Sequence, residues 1–231
     1  MTASLRRLLV PALSTAVMLA ILLSLGVWQL HRLTWKQGIL AEIAHAQAAP
    51  AIPLPPHPSR FQKVAVTGQF RPGLTALYAD DVRETPATVQ GAYLLAPLFR
   101  ANHKPLLVNL GWVPDGYHKP LPSGPITLTG YIRLPDHKGF FSAKDDIPGR
   151  HFYTLNPTTI GHALNLGQVA PYTLIILSPT QPATPPFPAT SLPRPPNNHF
   201  QYALTWFGLA GVLLITFLNY TWQTLRGARP K

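Results

Sequence analysis

Leu8 to Leu30, LLVPALSTAVMLAILLSLGVWQL, runs for 23 residues without a charged side chain. At 1.5 Å rise per residue it makes about 34 Å of helix, enough to cross a hydrocarbon core of about 30 Å. Inside such a core every backbone polar group has to be satisfied within the segment, so the stretch is expected to be helical. The nearest small-x-small triplet, Ala44-His45-Ala46, lies 14 residues past Leu30 and beyond Arg32 and Lys36. That distance and the length of the run favour an uncleaved anchor over a signal peptide. A second uncharged run, Tyr202 to Tyr220, covers 19 residues and is edged by Trp206, Tyr220 and Trp222. Aromatic rings at both ends suit the membrane–water boundary.

Orientation follows from the flanks. Arg6 and Arg7 precede the first run, while Arg226, Arg229 and Lys231 follow the second, and all eight Asp and Glu fall between the runs. Both termini are therefore expected in the cytoplasm, with residues 31 to about 197 in the periplasm or an equivalent space. Five of the net charges in the total of +11 lie in these tails. The rest is diffuse and reads first as a solvated basic surface, with contact to anionic membrane lipid as the alternative, so no nucleic-acid partner is implied. The chain has no Cys, so the exported part depends on its hydrophobic core alone.

Working inward, residues 1–7 read as a cytoplasmic terminus, 8–30 as the first span and 31–49 as a helical extension of it. Five of the nine residues from Pro50 to Pro58 are Pro, as are eight of the eighteen from Pro179 to Pro196. Residues 50–60 and 179–196 therefore read as stiff, extended connectors. Between them, 61–178 reads as a β-rich domain. Val64-Ala-Val-Thr-Gly-Gln-Phe70 and Ile126-Thr-Leu-Thr-Gly-Tyr-Ile132 share one alternating pattern, with Gly68 and Gly130 predicting bulges or close approaches. Further strands are predicted at 92–98, 106–113 and 172–178. Asn156 as N-cap, Pro157 and Gly167 delimit one short helix. Residues 199–222 form the second span and 223–231 the other cytoplasmic tail. The fold class is thus two transmembrane α-helices flanking a mainly β (α+β) extracytoplasmic domain.

Catalytic signatures are lacking: there is no phosphate loop, no Gly-x-Ser-x-Gly elbow and no His-Glu-x-x-His. Asp80-Asp81 and Asp145-Asp146 are adjacent pairs whose side chains diverge in extended chain, and the second reads as a turn. No enzymatic role is expected. The nine His show no pair at i, i+3 or i, i+4, the local spacing that metal sites usually display. His199 differs by standing where the second span begins, and on a helix it would share a face with Tyr202, Ala203 and Trp206. An imidazole there is able to ligate a haem iron. By the residues alone, an interfacial His bonded to Asn or headgroups is the preferred reading, because one His does not define a haem site. Ala12, Ala16, Ala20 and Ser24 form a ridge of small residues that predicts close contact with another helix, the second span first of all.

These segments together resemble the surfeit-locus family of cytochrome oxidase assembly proteins. The resemblance rests on Gly26-Val-Trp-Gln-Leu-His-Arg32 with Lys36, Gly91-Ala-Tyr-Leu-Leu-Ala-Pro-Leu98, Val108-Asn-Leu-Gly-Trp-Val-Pro114 and Asn197-Asn-His-Phe-Gln-Tyr-Ala-Leu-Thr-Trp-Phe207. Leu110 stands where the family usually has Arg, and Phe152 and Asn156 where Trp and Asp are common. The resemblance implies a chaperone of a bacterial inner membrane that supplies haem a to the catalytic subunit of a haem–copper oxidase, with haem a synthase as a further candidate partner. It makes His199 the favoured haem iron ligand, with Tyr202 and Trp206 along the haem. Trp28, Gln29 and Arg32 are expected at the same membrane depth, with Arg32 placed to meet a propionate. The alternative is a non-haem membrane scaffold whose domain binds an oxidase subunit.

Overall fold

Helix α1 (Ala3–Ala48) covers the first apolar run and its extension without a break, and α3 (His199–Arg226) covers the second. The computed structural model describes residues 3–85 and 87–226; most of the C-terminal tail, including Arg229 and Lys231, lies outside them. The chain divides into two units, one of residues up to 41 with those from 194 onward, the other Glu42–Pro193.

In the helical unit, α1 and α3 are each long and apolar enough to cross a membrane. Leu13, Val17 and Ile21 on α1, and Val212, Ile215 and Leu218 on α3, are exposed, as lipid-facing side chains would be. The less exposed positions of α1 recur at 12, 15, 19, 22, 26, 29, 33 and 36, and those of α3 at 199, 203, 206, 210, 213 and 217. Alternating steps of three and four are the repeat of a left-handed helix seam. The helices come closest where small residues fall on the seam. A Cβ on Gly26 would stand 2.5 Å from the Phe207 ring, and Ala203 and Ala210 are buried.

The ridge of small residues is not this seam. Ala16, Ala20 and Ser24 are exposed, and the Ser24 hydroxyl donates to the Ala20 carbonyl at 2.6 Å. Each step of four residues turns about 40° past a full circle at 3.6 residues per turn. A strict i+4 row therefore winds away from any partner, whereas a 3,4 alternation stays in place.

The domain unit is one mixed sheet. Its strands are β1 (Ile52–Pro53), β2 (Lys63–Gly68), β3 (Ala76–Thr85), β4 (Ala87–Arg100), β5 (His103–Pro114), β6 (Ile126–Arg133), β7 (His151–Phe152) and β8 (Thr173–Ile176). They lie in the order β1-β2-β6-β8-β5-β4-β3-β7. The two look-alike segments pair with each other, β2 antiparallel to β6, with Val64 opposite Gly130 and Gly68 opposite Ile126. Both glycines are close approaches: an added Cβ would meet the Phe99 carbonyl oxygen at 2.6 Å beside Gly68, and that of Ile175 at 2.2 Å beside Gly130. One face carries a core of Val64, Val66, Leu94, Leu98, Leu106, Val108, Leu128, Ile132 and Leu174. Leu95 and Leu107, of the opposite parity, are also fully buried, so the sheet is covered on both sides. Helix α2 (Pro157–Ala163) begins where predicted, the Asn156 side chain accepting from the Thr158 and Thr159 N–H groups. Asn performs there the capping that Asp would, and Phe152 is fully buried.

Three regions differ from the sequence reading. The first proline-rich stretch is more than a connector, since Ile52 and Pro53 form β1 and pair parallel with Val64 and Ala65 of β2. The second proline-rich stretch belongs to the domain as far as Pro193. Phe187 and Trp112 exchange backbone hydrogen bonds of 2.8 and 2.9 Å, Ser178 N–H donates to Ala189, and Leu192 is buried. Prolines forbid a continuous ladder, but the residues between them keep their N–H groups and bridge singly. Strand β3 has no counterpart among the predicted strands. Its centre carries Asp80 and Asp81, and its pairing with β4 shifts register between Tyr78 and Asp81.

The loop from β6 to β7 is tied at its base by Asp145. Its carboxylate takes the Lys138 ammonium at 2.8 Å and accepts from the Tyr153 and Thr154 N–H groups. Burial pulls this carboxyl upward, yet Lys138 and the two backbone donors outweigh it and hold the pKa below its ordinary value. A depressed carboxylate pKa contributes stability that is complete above the unfolded value and is lost as pH falls through the folded one. The domain's thermal midpoint is therefore expected to drop as pH is lowered below about 4. In Asp145→Asn that acid limb should be visibly flatter in melts recorded from pH 7 downward.

Candidate functional site at the head of the helix pair

Pro195 and Pro196 exclude helix, and α3 starts three residues later, with Asn198 accepting its first backbone bond from the Tyr202 N–H at 3.2 Å. His199 is thereby the first residue of α3 and the first of its seam positions. It is half-buried, and its Nδ1 lies 2.8 Å from Gln29 Oε1 on α1. Gln29 is only 8% exposed. A carboxamide oxygen can only accept, so in the neutral ring Nδ1 carries the proton and Nε2 keeps its lone pair. A neutral imidazole with one nitrogen anchored is the arrangement that makes the other a metal ligand. Gly26, one turn before Gln29, makes the meeting possible by letting the Phe207 ring sit against the backbone of α1.

The other residues singled out in the sequence sort onto different faces. Trp206 continues the seam and is half-buried. Tyr202 does not share it: at 55% exposure it lies outside the row His199, Ala203, Trp206. Trp28 is 51% exposed. The Arg32 guanidinium lies over the Trp35 ring, 4.6 Å from its centre, and 6.0 Å from that of Trp28, a cation–π arrangement. His199 in the seam thus offers one oriented nitrogen, and Arg32, on an exposed face of α1, a guanidinium of the kind that pairs with carboxylates.

Sequence reasoning missed a polar cluster within the domain. A cavity of about 350 Å³ is lined by Tyr78, Tyr93, Tyr131, Arg83 and Arg133 among others. Tyr93 donates to Asp81 at 2.9 Å, Arg133 to Asp136 at 2.9 Å, and the Trp112 indole to the Asp81 carbonyl at 3.1 Å. Burial foremost raises the pKa of Tyr78 and of Tyr93, so both remain neutral donors. These residues come from β3, β4, β5, β6 and the loop that follows β6, and no local spacing announces them.

Two helices long and apolar enough to cross a membrane, with a sheet domain inserted in the chain between them, give the class of protein. The family model of the SURF1 family matches residues 16–211, and the chain belongs to that family. It is 28% identical over 216 residues to the SURF1-like protein of Rickettsia conorii, covering 87% of this chain and 86% of that one. It is 27% identical to the human Surfeit locus protein 1 and 26% identical to that of Mus musculus, covering 74% and 70% of those chains. The match includes Gln29, His199 and the whole domain sheet.

Proposed function

We propose that this protein is an assembly factor for a haem–copper cytochrome oxidase that binds haem a at the outer boundary of a bacterial inner membrane and aids its insertion into the catalytic subunit. The single observation that carries the reading is the contact between Gln29 and His199. It orients an imidazole whose Nε2 is free to ligate, at the head of a helix pair made for lipid. Haem supplies a Lewis-acidic iron for that nitrogen, and its apolar tail would be covered by helix surface or lipid. Trp206 and Trp28 provide aromatic walls, Tyr202 a further ring and hydroxyl, and Arg32 a guanidinium for a propionate. A carrier has to release its cargo, which one strong protein ligand serves better than two. No catalytic step is assigned to any residue.

The test is purification of the full-length protein from cells that also make haem a, followed by an optical spectrum of wild type and His199→Ala. Wild type is expected to carry haem and the variant to lack it. Equal haem in both would remove His199 as ligand. No haem in either would favour a scaffold that acts through its domain.

A further inference from the structure

Between β6 and β7 the chain forms a protrusion with a firm base and an apolar tip. At the base, Asp136 N–H donates to the Leu155 carbonyl at 3.0 Å, and Lys138 pairs with Asp145. The tip closes on itself: Ser142 N–H donates to the Gly139 carbonyl at 3.1 Å, and Gly139 N–H donates to the Ser142 hydroxyl at 2.9 Å. Phe140 and Phe141 occupy the two central positions of this turn. They are 96% and 95% exposed, with ring centres 5.1 Å apart and edge to face.

Two adjacent, fully exposed aromatic rings held out by a locked turn are costly in water and mark a surface that is covered in use. The shape of the tip decides what covers it. A specific protein interface needs about 800 Å² from each partner, and a two-residue knuckle flanked by Gly139, Ser142 and Ala143 does not offer that area. A fluid boundary of headgroups and acyl chains accepts such a knuckle without further contact. Lys144, and Lys138 with half of its side chain still exposed in the pair with Asp145, flank the rings in the chain, the pattern by which peripheral segments combine apolar insertion with attraction to anionic lipid. The domain is joined at both ends to helices of membrane-spanning character, which keeps its local concentration at a bilayer high.

We infer that the Gly139–Ser142 turn is a membrane-dipping knuckle that seats Phe140 and Phe141 in the boundary layer of an anionic bilayer. This adds a third lipid contact, belonging to the domain itself and independent of any haem chemistry.

Because the chain lacks Cys, Phe141→Cys creates a unique attachment point for a nitroxide label, and Ser123→Cys supplies one on another exposed loop. In full-length protein placed in nanodiscs containing anionic lipid, the label at 141 is expected to collide several-fold more with oxygen and several-fold less with a water-soluble nickel chelate than the label at 123. A second pair keeps both rings: a label at Ala143→Cys should be shielded from nickel with Phe140 and Phe141 present and lose that shielding when both are Ser. Equal nickel access at 141 and 123 would overturn the inference. So would shielding that arises only when an oxidase subunit is added, which would make the tip a protein-docking site.

Discussion

Full-length protein carrying His199→Ala is expected to show a Soret band at background level when purified from cells making haem a. The side chain is the one oriented imidazole of the seam, and alanine leaves no nitrogen in its place. Gln29→Leu is the more discriminating companion. Leucine fills nearly the same volume in the seam between the helices, so packing is retained, but the acceptor for Nδ1 is gone. The ring is then free to turn and to change tautomer, and removal of such a supporting partner costs about 10- to 100-fold in metal affinity. Gln29→Glu restores an acceptor, a stronger one, and should recover binding to the wild-type level or beyond it. The expected ordering places Gln29→Glu at or above wild type, Gln29→Leu well below it and His199→Ala at background. It is read by titrating haem into detergent-solubilised protein. If His199 merely stapled the helices, Gln29→Leu and His199→Ala would melt earlier and titrate like wild type.

A second large effect is expected in the domain. Gly111 has φ +119°, and a Cβ there would lie 2.3 Å from the carbonyl carbon and oxygen of Phe187 and 2.5 Å from Pro188 N. Those are backbone atoms on a segment held to Trp112 by two hydrogen bonds and by stacking of the Phe187 ring at 6.1 Å. Gly111→Ala therefore strains the backbone, at about 1–3 kcal/mol, and also pushes off the proline-rich segment, forfeiting two hydrogen bonds of about 1 kcal/mol each. A total of about 3–5 kcal/mol is a large part of the 5–15 kcal/mol that holds a typical domain together. At roughly 2–4 °C per kcal/mol for a unit of this size, the melting midpoint should fall by about 10 °C. Gly116, at φ +72° with open space around it, is the control. Gly116→Ala meets only the left-handed backbone penalty of about 1–2 kcal/mol. Near-UV circular dichroism melts compare the two, and matching midpoints would mean that the Phe187 segment is not clamped as described.

The features legible in the sequence are those whose cause is local. An uncharged run of 23 residues needs no partner to be read as a helix of spanning length, and α1 follows it. The Asn156-Pro157 pair marks the start of α2 because a cap is satisfied by the residues just after it. Gly68 and Gly130 stand out inside alternating apolar patterns, where a missing side chain implies a near neighbour. Strand β3 stayed hidden because two aspartates interrupt its alternation. The order β1-β2-β6-β8-β5-β4-β3-β7 was equally hidden, since strand pairing joins residues as far apart as Lys63 and Tyr131.

The site divides along the same line. His199 stood out in the sequence by position, opening a span, and Gln29 through the resemblance of the segment in which it lies. Their contact depends on which face of each helix turns inward, and that is decided by packing along the whole seam. Gly26, Ala203 and Ala210 admit close approach there, while the more regular ridge of Ala16, Ala20 and Ser24 faces outward. The sequence by itself determined that two membrane-length helices bracket a β-rich domain, because helix length and hydropathy are properties of contiguous residues. Only the tertiary structure decided that Gln29 orients His199, that Phe187 closes over Gly111, and that Phe140 and Phe141 stand clear of the core. Each of those depends on contacts, or on their absence, between segments that the chain brings together only when folded.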